Sequence, residues 1–270
     1  MKIAIPVAAL LCLWLPALGV SAQPASTAED DVLQAEILRK SSQPDGALAL
    51  YEKAAAAFKA SGNTAGFINA CNQMGIILTR QDKYDRATTY LAQALSTGLA
   101  SPDTDPLLIA TTYISLGVVY NAEEKYTESL AAHHKALSIR LAKLGENDAS
   151  VATSYGNIGN VYLNSKAYDQ AIEAHLKAMK IRKKLFGDTS VEIMQSYTHL
   201  GRSYRDKGDY KTSLKYFEKA LKNKIIQVGE EHKDVASFYK NISDVYYQMD
   251  NKDKGALYKA KAEAAMKNPA

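Results

Sequence analysis

The stretch from Glu146 to Gly187, ENDASVATSYGNIGNVYLNSKAYDQAIEAHLKAMKIRKKLFG, decides the fold. Val151, Tyr155, Ile158 and Tyr162 step by three and four, the spacing of one apolar face on a helix. Asn147 or Asp148 stands where a side-chain oxygen can cap that helix at its start. Asn164-Ser165-Lys166 makes a short polar break. A second helix is expected from about Tyr168, with Ala171, Ile172, His175, Ala178 and Met179 turned inward. Gly187 ends it, as Gly145 and Gly229 end the helices before and after. No period-two alternation argues for strands, so the stretch reads as two antiparallel helices.

Working outward, the same residues recur at a step of 42. Tyr120, Tyr162, Tyr204 and Tyr246 form one series, and Tyr113, Tyr155, Tyr197 and Tyr239 another. Between them lies a small residue: Gly75, Gly117, Gly159, Gly201 and Ser243. Tyr84, Tyr126, Tyr168 and Tyr210 follow, then Ala94, Ala136, Ala178, Ala220 and Ala262. Self-similarity at this period marks a solenoid, in which each unit buries its apolar face only against its neighbours. Stacked repeats act as binding surfaces more often than as catalysts.

The residues carrying the pattern resemble the tetratricopeptide repeat family, in a 42-residue form similar to that of kinesin light chains. That family places a bulky residue, a leucine-like residue, a small residue and a tyrosine on its first helix; here they are Tyr155, Ile158, Gly159 and Tyr162. On the second helix it expects an aromatic, a small residue, an aromatic and an alanine. Tyr168, Ala171, His175 and Ala178 fit in one repeat, and Tyr210, Ser213, Phe217 and Ala220 in the next. The resemblance implies an all-α, right-handed superhelical solenoid of about six helix-turn-helix repeats over residues 28–268, at 28–61, 62–103, 104–145, 146–187, 188–229 and 230–268. The first repeat keeps only the helical pattern, with Pro44-Asp45-Gly46 as its turn. The second replaces two tyrosines with Cys71 and Leu78, and the sixth replaces its second-helix aromatics with Lys252 and Lys259. Atypical end repeats are expected of caps.

Residues 1–22 are of another kind: Lys2, then a mostly apolar run from Ile3 to Val20, then Val20-Ser21-Ala22. That is the layout of a signal peptide cleaved after Ala22, leaving a short flexible tail at 23–27 and an exported, periplasmic or secreted chain. A lipoprotein is excluded, since Leu11 precedes Cys12 where a small residue is required. No later run approaches the roughly 18 apolar residues of a membrane span. Cys71 would be the one cysteine of the mature chain, which forbids an internal disulfide and reads as a buried thiol. From Gln23 to Asn164 there are 11 Lys/Arg against 15 Asp/Glu, a balance of −4; from Ser165 to Ala270 there are 21 against 14, a balance of +7. Such a dipolar rod suits an acidic partner at one end, or head-to-tail stacking into a homo-oligomer. Without dense basic runs, nucleic acid is a poor fit.

Catalytic and metal chemistry find no residues. His133 and His175 occupy the second-helix aromatic position, where core packing explains them, and no Cys or paired carboxylate completes a metal set. There is no Ser-His-Asp arrangement, phosphate-cradling glycine loop or convergent carboxylate pair, so no enzyme and no cofactor are expected. The polar residues of the first helices say more. In the family those helices line a concave groove, which assigns as peptide-contacting Asn72, Gln73, Asn121, Asn157, Asn160, Asn164, His199, Arg202, Arg205, Lys240, Asn241 and Asp244. Carboxamides can pair with an extended peptide backbone whatever its side chains, and Arg202, Arg205 and Lys240 favour carboxylates. The family's clamp for a terminal carboxylate is not assigned, because Ile114 and Val118 stand where it needs polar groups. The reading is a non-enzymatic scaffold for a protein or extended peptide. The alternatives are a self-assembling unit with unlike-charged ends and a sensory input module.

Overall fold

The computed structural model describes residues 27–267. The signal-peptide reading and the tail before Thr27 fall outside these residues. Among them are twelve α-helices and no strand: α1 Ala28–Lys40, α2 Pro44–Ser61, α3 Thr64–Arg80, α4 Tyr84–Ala100, α5 Pro106–Ala122, α6 Tyr126–Leu144, α7 Ala149–Asn164, α8 Tyr168–Phe186, α9 Val191–Lys207, α10 Tyr210–Val228, α11 Ala236–Gln248 and α12 Lys252–Lys267. Odd and even helices pair within each repeat, and each even helix packs on the next odd one. The odd helices α3, α5, α7 and α9 also touch in succession, whereas the even helices make no comparable contact with one another. A row whose first helices are closer together than its second helices must curve with the first helices inside. The fold is an all-α solenoid of six helical pairs.

Local chemistry explains why each pair is built alike. The turn inside each repeat puts one residue in the left-handed region: Ser42, Asp82, Glu124, Lys166 and Asp250 at φ of 56–63°, with Gly208 in the equivalent place. Between repeats, Gly145, Gly187 and Gly229 combine φ of 77–89° with near-extended ψ, a region only glycine enters readily. At the start of α7, Asp148 caps by accepting from the Ser150 N–H at 2.7 Å. Pro44-Asp45-Gly46 is not the first turn: Pro44 opens α2 at its first position, where the missing N–H costs no helical bond. The chain reverses instead over Ser41–Gln43.

The two helices of a pair meet at small residues twelve positions apart. Ser129 Oγ donates to the Gly117 carbonyl and Ser213 Oγ to the Gly201 carbonyl, both at 2.7 Å. In the sixth repeat the roles are exchanged, Ser243 Oγ donating to the Gly255 carbonyl at 2.7 Å. A second-helix side chain then covers the first-helix glycine: Leu91 over Gly75, His133 over Gly117, His175 over Gly159 and Phe217 over Gly201. Ala35, Ala47 and Tyr51 are fully buried in the matching places of the first pair, which therefore keeps more than a helical pattern. It had been hidden because its step to Gly75, Ala87 and Leu91 is 40 residues, not 42. Lys177, Lys219 and Lys261 lie over the rings of Tyr155, Tyr197 and Tyr239 at 5.7, 5.4 and 5.5 Å, another 42-residue series. Neighbouring repeats are tied by long cations of the second helices. Arg140 donates to Ser154 Oγ at 3.0 Å, Arg182 to Ser196 Oγ at 2.9 Å, and Lys224 to Asp234 Oδ2 at 2.9 Å.

Candidate functional site

The inner face is made by the first helices, so its chemistry follows from residues spaced three or four apart on α3, α5, α7, α9 and α11. On α7, Asn157 and Asn160 are half-buried and Asn164 is exposed, a stripe down one side of the helix. No side-chain hydrogen bond engages the amides of Asn157 or Asn160 among the described residues. Asn164 Nδ2 donates to Asn121 Oδ1 at 3.1 Å, so these two amides bridge the third and fourth repeats. Such a bridge holds the stripe in line with the face of α5.

The basic part of the face lies on α9 and α11. Arg202 is exposed and, like Lys240, forms no ion pair among the described residues. Arg205 is bound to Asp206, Nε to Oδ1 at 2.8 Å, which leaves it a weaker anion receptor than expected. Lys240 and Asp244 line a cavity of about 880 Å³ between α11 and α12, and Asn241 is half-buried beside them. Gln73 lines a smaller cavity of about 280 Å³ at the other end, with Glu29, Val32, Glu36 and Asn69.

One expected groove residue, Asn72, is elsewhere, and a second, His199, is held by a ring stack. Asn72 is buried, and neither its amide nitrogen nor its oxygen has a hydrogen-bond partner among the described residues. It belongs to the wall of the first two repeats, because the neighbouring helices close over its face of α3. His199 stays half-buried at the edge of the face, with its ring packed against the neighbouring repeat. Its ring stacks on that of His175 at 5.1 Å between centroids and 14° between planes. Burial above all, then the Arg202 and Arg182 charges, pushes His199 down to about 4. Burial and the adjacent His199 push His175 to about 3, and burial pushes His133 to about 4. All three imidazoles are neutral near pH 7 and none is poised for acid–base work there. Among the described residues no group of three His, Cys, Asp or Glu side chains is placed to hold a metal ion. No helix among them is long and apolar enough to cross a membrane.

The face also has an apolar part, which carries no polar signal in the sequence. Ile76 on α3 and Val118 on α5 follow the small residues Gly75 and Gly117 and are 36 % and 45 % exposed. They form a hydrophobic section between the acidic end at Glu29 and Glu36 and the amide and basic section on α7–α11. The register that located Asn160 and Arg202 also located them, but selecting polar residues passed them over.

Residues 108–184, 150–225 and 192–268 match the tetratricopeptide repeat family, and a further tetratricopeptide match covers residues 68–98. No curated protein matches the chain. Among solved structures, BtubC (BKLC) from P. vanneervenii is 16 % identical, with 91 % of this chain and 96 % of that one covered and a TM-score of 0.68. A Podosopora anserina putative kinesin light chain with nearly identical TPR-like repeats is 13 % identical, covering 73 % of this chain and 94 % of that one at a TM-score of 0.65. A Rap protein complexed with competence and sporulation factor is 16 % identical, covering 89 % of this chain and 64 % of that one at a TM-score of 0.61. At these identities the likeness is one of fold.

Proposed function

Because the chain belongs to the tetratricopeptide repeat family, we propose that it is a non-enzymatic scaffold whose inner face holds an extended segment of a partner protein. The observation that carries this reading is the run of unengaged polar groups on one face, Asn157 and Asn160 on α7, then Arg202 on α9 and Lys240 on α11. Amides able to donate and accept can run alongside a peptide backbone, and the unpaired cations favour acidic side chains on it. Ile76 and Val118 supply an apolar section for side chains of the same segment. A related fold has been crystallised with competence and sporulation factor, which is consistent with a ligand held by helical repeats. Export belongs to the same reading, with residues 1–22 removed and the partner met outside the cytoplasm.

The test is a library of extended peptides, acidic and neutral, displayed against the purified chain and against variants Asn157→Ala, Asn160→Ala and Arg202→Ala. Each amide lost should weaken selected peptides about two- to tenfold, the worth of a hydrogen bond of ~0.5–1.5 kcal/mol, and Arg202→Ala should act most on acidic ones. Lys180→Ala, on an exposed position of α8, should change nothing. Equal binding by all groove variants overturns the proposal. Mass spectrometry of natively produced protein retaining residues 1–22 would overturn export.

A further inference from the structure

Among the described residues, the two ends of the solenoid are open in complementary ways. In the interior, each first helix buries one stripe against the repeat before it: Ile77, Val119, Val161, Ser203 and Val245 are all buried at one such position. The Ala35–Gly75 register places Ile37 of α1 at that position, and there it is 49 % exposed. Leu33, one turn earlier on α1, is 64 % exposed, with Asp30 and Gln34 exposed beside it. Asp30, Leu33, Gln34 and Ile37 make one helical stripe, with the apolar pair four residues apart. It is the stripe by which a first helix docks on a preceding repeat, and no described repeat precedes it.

At the far end, the space that a seventh first helix would occupy is open. Every interior first helix lies against the second helix before it, and α11 with α12 presents that same surface to no described helix. The result is the 880 Å³ cavity, lined on its apolar side by Phe238, Tyr247, Ala262 and Met266. Met266 is 72 % exposed. Lys224, Lys233, Lys240 and Lys259 also line it, against Asp234, Asp244 and Glu263, and Lys224 is paired with Asp234. Lys259 stands where the earlier repeats carry Leu91, His133, His175 and Phe217, so a cation replaces the buried side chain only at this end.

We infer that α1 of a second copy of this chain docks in the cavity between α11 and α12, so that the solenoid continues from one molecule into the next. Leu33 and Ile37 enter the apolar side. The acidic first turn of α1, with Glu29 and Asp30, meets the lysines. The opposed balances of −4 and +7 along the chain orient the approach. Unlike surfaces meet, so the contact is heterologous and propagates into open or ring-closed oligomers rather than ending at a dimer. End-to-end docking leaves Asn157, Asn160 and Arg202 uncovered and takes up Lys240 and Asp244 at the far end of the inner face.

The experiment uses two full-length chains, Leu33→Cys and Met266→Cys, each also carrying Cys12→Ser, mixed under mild oxidation. Cys71 is buried and does not compete. The expected result is a disulfide-linked pair in the mixture only, together with concentration-dependent oligomers of the unmodified chain in sedimentation. Assembly should weaken about tenfold between 0.1 and 0.5 M salt, where screening shortens to roughly 4 Å. Ile37→Asp should abolish assembly with an unchanged melting temperature, while Leu257→Asp, at another exposed apolar site on α12, should not. Efficient self-linking of Leu33→Cys alone would mean a like-to-like contact and overturn the inference. A monomer at all salt and protein concentrations would also overturn it.

Discussion

Two glycines three residues apart on α7 should respond to alanine with opposite signs. A Cβ built on Gly159 would lie 2.5 Å from His175 Cε1, 2.6 Å from Nδ1 and 2.8 Å from Nε2. That ring is fully buried and stacked on His199, so it has no free direction in which to yield. Overpacking of this kind costs about 1–3 kcal/mol. Replacing a helical glycine returns up to ~1 kcal/mol of helix preference. The net for Gly159→Ala is therefore a loss of about 1–2 kcal/mol. At Gly156 the added Cβ meets only Arg182 Nη2, at 3.7 Å, an ordinary contact. There the helix preference acts alone, and Gly156→Ala should gain about 0.5–1 kcal/mol. In a chain of this size ~1 kcal/mol moves the melting temperature by about 2–4 °C, so circular dichroism melts separate the two variants easily. Gly159→Leu and Gly201→Leu should be worse than either. The cause is checked by placing Gly159→Ala in a His175→Ala background, where the same alanine should stabilise. If Gly159→Ala melts at or above wild type while His175 is intact, the close approach of α7 and α8 at this glycine is wrong.

Three further outcomes follow from buried groups. His133, His175 and His199 bind fewer protons folded than unfolded between about pH 4 and 6.5, so stability is complete above pH 6.5 and falls as the pH drops. The slope should be about 1.4 kcal/mol per pH unit for each imidazole, and His175→Phe, the residue type found at Phe217, should lower it by one such share; an unaltered slope in denaturant melts would refute the assignment. Burial raises the Cys71 thiol to about 12, so thiol reagents should modify the native chain only at the rate of its opening, and rapid native-state labelling would contradict the buried position. Asn72→Leu should raise the melting temperature, because it removes two buried amide atoms without partners, each such group costing about 1–3 kcal/mol; a large fall would mean that the amide is engaged after all.

Much of the architecture was legible before any coordinates, because a solenoid writes its contacts into a period. A residue that packs on its neighbour must do so again one repeat later, so the small series at Gly117, Gly159 and Gly201 and the glycine stops at 145, 187 and 229 announced the helix pairs by spacing alone. The first repeat was less legible only because its step is 40 residues, which moved Ala35 and Ala47 out of the series that exposed the others. The left-handed turn residues were hidden as well: Asp82, Glu124, Lys166 and Asp250 share a backbone conformation but no side-chain type.

The inner face divided differently. Helical period could place Asn157, Asn160 and Arg202 on one surface, since three- and four-residue steps determine which side of a helix a residue occupies. It could not say how far neighbouring helices close over that surface. Their packing buried Asn72 and drew His199 into a stack with His175, while leaving Ile76 and Val118 open. Nor could charge counts distinguish a dipolar rod from one whose ends fit. That the acidic end carries an exposed apolar stripe on α1, and the basic end an open cavity beside α12, depends on which helix lacks a neighbour among the described residues. Only the tertiary structure decides this, because exposure is a property of the assembled neighbours and not of the residue.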